Sequence, residues 1–88
     1  MEDPPEITGE RLRRLRLALE YEDQVDFAKS LRVDKGSYNL MEKGRRRISH
    51  SVAVRLREVH GISLDFIYFG EGLQRLPYNV VIRFENAA

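Results

Sequence analysis

The chain of 88 residues carries 15 Lys and Arg against 14 Asp and Glu, a formal net charge of +1. No bulk positive field therefore argues for nucleic acid or an anionic membrane, and any such argument rests on where the charges sit. The length supports one domain with one modest core and no separate effector domain. The absence of Cys excludes a disulfide framework and a thiolate metal site, and no apolar run approaches a membrane span.

Residues 1–6 read as a disordered lead, because Pro4 and Pro5 oppose a helix and the rest is acidic. The lead does not resemble a signal or transit peptide, so a cytoplasmic, nucleoid-associated protein is expected. A first helix is expected from Thr8, with Thr8 as cap, Ile7 stapled on Leu12, and Leu12, Leu15 and Leu19 as its apolar stripe. Arg11, Arg13 and Arg14 fall outside that stripe. Asp23 then stands before a run with Phe27, Ala28 and Leu31 at helical spacing. Val33 closes a turn, and Asp34 stands before a second run with Tyr38 and Met41. Both aspartates suit helix N-caps, where a carboxylate accepts from free backbone N–H groups. A fourth helix is expected from Ser49 through Val52, Ala53, Leu56 and Val59 to Gly61. A fifth, capped by Ser63, carries Leu64, Ile67 and Tyr68 and ends at Gly70 and Gly72. After Pro77, the stretch YNVVIRFE is rich in β-branched and aromatic residues and reads as a strand over 78–85. The expected organisation is a lead at 1–6, a helical domain at 7–72 and an extension at 73–88.

The stretch QVDFAKSLRVDKGSYNLMEKG resembles the helix-turn-helix of the Cro/repressor type, the xenobiotic-response-element family. Gln24, Phe27, Ala28, Val33, Tyr38, Glu42 and Gly44 carry the match. A second segment, with Gly61, Ser63, Leu64, Asp65, Ile67, Tyr68 and Gly70, resembles the same family's closing helices, so the likeness covers residues 8–70. Arg32 stands where the family prefers Gly. A side chain in that left-handed position costs on the order of 1 kcal/mol, which Arg32 is expected to bear. Glu22 or Asp23 looks like a one-residue insertion, and Arg57 and His60 depart from the family's small and apolar choices. The resemblance implies an all-α, five-helix repressor-like domain, to which the sequence adds a C-terminal strand.

Its implications for individual residues follow. Lys35, Gly36, Asn39 and Leu40 share the outward face of the second motif helix, which the family inserts into the major groove. Lys35 would then donate to guanine and Asn39 pair with adenine, while Leu40 would meet a thymine methyl and Gly36 leave a gap. Gln24 and Ser37 are expected at phosphates, beside helix N-termini. Lys43, Arg45, Arg46 and Arg47 follow the reading helix, where cations neutralise phosphates, although such a charge run is more commonly solvated surface. Arg16 and Glu42 are implied as a structural ion pair tying the first helix to the end of the reading helix. His50 and His60 have no ligand spacing around them, so neither a metal nor a cofactor is expected. His60 reads as a core-edge residue, and Tyr21, Phe66 and Phe69 as core aromatics.

The expected function is sequence-specific binding of double-stranded DNA by a transcriptional regulator, a repressor occupying a palindromic operator as a homodimer. No catalytic constellation points to an enzyme. A lone strand leaves backbone groups unpaired, so Val80, Val81, Ile82 and Phe84 are expected to pair with a second copy. Two alternatives stand beside this: an antitoxin using its C-terminal segment on a toxin, and a protein-interaction module that has kept the fold and lost DNA binding.

Overall fold

A computed structural model describes residues 1–87. These form six α-helices, α1 (Pro5–Ala18), α2 (Gln24–Ser30), α3 (Lys35–Glu42), α4 (His50–His60), α5 (Leu64–Phe69) and α6 (Tyr78–Asn86), with a 3-10 turn over Leu73–Arg75. Among the described residues no strand occurs and no helix is long and apolar enough to cross a membrane.

The first helix starts earlier than the sequence predicts. Pro5 occupies its opening position, where a fixed φ suits the helix and the missing N–H is no loss. Pro4 carbonyl oxygen accepts from the amides of Ile7 and Thr8 at 3.0 Å each. Thr8 is not the cap. It is buried inside the helix, its hydroxyl donating to Pro5 O at 3.3 Å. Ile7 is 50% exposed and lies inside the helix, not before its cap as a staple would require, and residues 5 and 6 of the expected lead belong to α1.

Leu12, Leu15 and Ala18 of α1 pack into one core with Phe27, Ala28, Leu31, Tyr38, Met41, Val52, Leu56, Phe66 and Ile67. Each fully buried Leu, Ile or Phe contributes roughly 1.5–3 kcal/mol of transfer free energy, so this core, not helix propensity, holds six short helices together. Gly9 lets α1 lie directly on the end of α3. A Cβ there would stand 2.6 Å from Met41 O and 2.7 Å from Glu42 O. Ser63 caps α5 as the sequence predicts, accepting from Phe66 N at 3.1 Å, and Ser49, expected as the first residue of the fourth helix, is instead its cap, accepting from Val52 N at 3.3 Å. Both α4 and α5 end in left-handed glycines, Gly61 and Gly70.

The expected strand over 78–85 is helix α6, and the dimer ribbon built on it falls with it. Val80 and Phe84 lie one turn apart and are only 7% and 6% exposed, packed into the chain's own core. Phe84 meets Phe66 edge-on at 5.2 Å between centroids. Val81 is half-buried against the same core, and Ile82 is 38% exposed. Arginines finish the docking. Arg14 lies over the Phe84 ring at 4.2 Å and donates to Phe84 O at 2.9 and 3.1 Å. Arg13 donates to Ala87 O at 3.0 Å, and Arg83 donates back to Ala18 O, at the end of α1, at 2.7 Å. These guanidinium groups bond carbonyls at the C-terminal ends of helices, where regular i→i+4 partners run out. Tertiary packing thus overrides the local β preference of Val80, Val81 and Ile82.

Candidate nucleic-acid interface

Helices α2 and α3 are joined by residues 31–34. Asp23 and Asp34 cap them as the sequence predicts, accepting from Asp26 N at 3.1 Å and Ser37 N at 2.9 Å. The backbone and side chain of Ser37, with the charge of Arg46, hold the Asp34 carboxyl below its ordinary range. Leu31 is fully buried, and Arg55 of α4 donates to its carbonyl at 3.2 Å. Arg32 turns the chain at φ 54°, the left-handed conformation expected of it.

α3 has two distinct sides. Tyr38, Met41 and Glu42 are buried, whereas Lys35, Gly36 and Lys43 are exposed and Ser37, Asn39 and Leu40 half-buried. Lys35, Asn39 and Lys43 make no side-chain hydrogen bond or ion pair among the described residues. The exposed residues Arg45, Arg46 and Arg47 follow at the end of the helix.

The inward side is fixed by a polar cluster joining three helices. Arg16 Nε donates to Glu42 Oε2 at 2.9 Å and Arg16 Nη2 to Oε1 at 3.2 Å. Tyr38 Oη donates to Oε2 at 2.5 Å, and Gln24 Nε2 to Oε1 at 3.1 Å. The carboxylate therefore accepts two hydrogen bonds on each oxygen, close to its full capacity. Arg16 also donates through Nη1 to Tyr21 O at 2.9 Å and Glu22 O at 2.6 Å. Burial pushes the Glu42 carboxyl up, but the hydrogen bonds from Arg16, Tyr38 and Gln24 outweigh it and leave the pKa lowered. Burial, with the bond to Glu42, raises that of Tyr38.

Three residues expected at phosphates have internal partners, Ser37 among them through its side-chain bond to Asp34. Gln24 is half-buried and commits one amide N–H to Glu42, since an ionised carboxylate accepts and cannot donate. Arg47 pairs with Glu2. Lys43, Arg45 and Arg46 have no such carboxylate partner among the described residues. Sequence reasoning also missed the Tyr38 hydroxyl. The signal available for it was the four-residue spacing of Tyr38 and Glu42, which places both on one helix face.

His60 sits at the core edge, its Nε2 2.9 Å from Ser30 Oγ. Because Ser30 gives its own hydrogen to Phe27 O at 2.7 Å, His60 is the donor. Its ring lies against Tyr21 and Phe27, and burial lowers its pKa. Phe66 is buried and Tyr21 half-buried, but Phe69 is 40% exposed and is not a core residue. No group of three His, Asp or Glu side chains among the described residues could hold a metal.

No family model, curated protein or solved structure matches the chain.

Proposed function

We propose that this protein binds double-stranded DNA sequence-specifically, with α2 and α3 acting as a helix-turn-helix and α3 entering the major groove. The observation that carries the reading is the division of α3. One side is locked to α1 and α2 through Tyr38, Met41 and Glu42, while Lys35, Asn39 and Lys43 are left without internal partners. An α-helix fits the roughly 12 Å major groove, and Lys and Asn are the side chains that recognise guanine and adenine edges there. Gly36 and Leu40 complete the face, Leu40 being suited to a thymine methyl. Lys43, Arg45 and Arg46 lie where phosphates would flank such a helix. The remaining N–H of Gln24 is a further donor there, and the hydroxyl of Ser37 becomes one if it exchanges Asp34 for a phosphate. In this reading the protein regulates transcription by occupying an operator.

The test is binding to a mixed-sequence duplex as salt rises from about 50 to about 200 mM. Affinity should fall steeply, and Arg45→Ala should reduce the slope of log affinity against log salt by about 1. No binding at the low-salt end would reject the proposal. It would favour the alternative of a protein-interaction module, which the near-neutral charge of +1 supports. In sequences selected by the protein, an inverted repeat would report two copies per site.

A further inference from the structure

The acidic start of the chain is fastened beside the basic loop. The amide of Asp3 donates to Tyr68 O at 2.8 Å, and its carboxylate accepts from Arg11 Nη2 at 2.6 Å. Arg11 is itself anchored, donating through Nη1 to Ile67 O at 2.8 Å. The hydroxyl of Tyr68 donates to Ile48 O at 3.0 Å, so one residue of α5 holds both Asp3 and the backbone next to Arg47. With its neighbour fixed in this way, Glu2 places its carboxylate on the Arg47 guanidinium. Glu2 and Arg47 are both largely solvent-exposed, at 40% and 58% of their side-chain surfaces. Nothing about core packing demands the contact.

We propose that Glu2 stands in for a DNA phosphate, holding Arg47 out of the interface and so setting affinity and salt dependence. This rests on the DNA-binding reading and adds a regulatory contact to that same surface. A carboxylate presents a guanidinium with the same fork of anionic oxygens as a phosphate. DNA and Glu2 would therefore compete for the same donors. Because Asp3 is tethered at two points, Glu2 remains close to Arg47 and competes as an intramolecular ligand. Released from it, Arg47 adds a fourth cation to Lys43, Arg45 and Arg46.

The experiment compares the full chain with Glu2→Gln, Arg47→Ala, the double variant, and Glu85→Gln as a charge-matched control on α6. Each is titrated against a mixed-sequence duplex across the same salt range, with thermal melts confirming equal folding. Glu2→Gln should tighten binding by about two- to fivefold at low salt, the scale of an exposed ion pair. It should also steepen the salt slope by about 1, the signature of one more phosphate neutralised. In the Arg47→Ala background the same substitution should change neither quantity, and Glu85→Gln should do neither. If Glu2→Gln leaves affinity and slope as they were, or acts equally with Arg47 absent, the inference is overturned while the DNA-binding reading stands. If the unaltered chain shows no salt-dependent binding, both are overturned.

Discussion

Replacing Glu42 by Ala removes the acceptor shared by Arg16, Tyr38 and Gln24, and the consequence can be worked from the contacts. Arg16 and Glu42 retain only 9% and 5% of their side-chain exposure, so water cannot readily replace the lost carboxylate. The Nη1 group of Arg16 keeps its two carbonyl partners, but Nε, Nη2, the Tyr38 hydroxyl and the Gln24 amide lose theirs. Removing one partner of a buried pair costs about 3–5 kcal/mol, against a total stability on the order of 5–15 kcal/mol for such a domain. The melting temperature should fall by about 12 °C or more, measured by circular dichroism or calorimetry. Replacing both partners, Arg16→Met with Glu42→Leu, should cost less than the two single changes summed, since no buried charge is then left alone. Acid unfolding provides a second reading. The lowered Glu42 pKa means that its stabilisation is complete above the ordinary value of 4.5 and is lost as pH falls through the folded value. Glu42→Gln should flatten that acid limb. An Ala variant melting within about 2 °C of the parent, the effect of an exposed pair, would refute the reasoning.

Gly9→Ala should be strongly destabilising, by about 1–3 kcal/mol or more in denaturant titration, because its Cβ would meet backbone atoms of Met41, Glu42 and Gly44 2.6–2.8 Å away. Arg32→Gly should instead raise stability by up to about 1 kcal/mol by relieving the left-handed residue at φ 54°. Burial lowers the His60 pKa from 6.5, so the unfolded chain takes up its proton first. Stability should be fully present above pH 6.5, decline below it and level off beneath the folded value, and His60→Gln should abolish that step.

Signals that act over a few residues were largely legible in the sequence. Asp23, Asp34 and Ser63 cap where they were expected, because a side chain accepting an amide three residues on needs no tertiary partner. The left-handed turn at Arg32 was legible only through the resemblance, which implies a glycine at that position. The Thr8 cap failed locally, because Pro5 opens α1 earlier; the other failures depended on distant residues. The β-branched run of α6 is helical because Arg13, Arg14 and Phe66, remote in sequence, reward a helix that buries Val80 and Phe84 on one side. The inward turn of Gln24 depends on Glu42, and the hold on Arg47 on Glu2, across 18 and 45 positions of chain. No local pattern reports either.

Selection of bound sequences from a random duplex pool tests the central claim most directly. The account predicts an enriched motif in which Lys35→Ala relaxes preference at a guanine position and Asn39→Ala at an adenine position, each by about 1–3 kcal/mol of discrimination. A pool that gains no motif, or one motif shared unchanged by the parent and both variants, would contradict it.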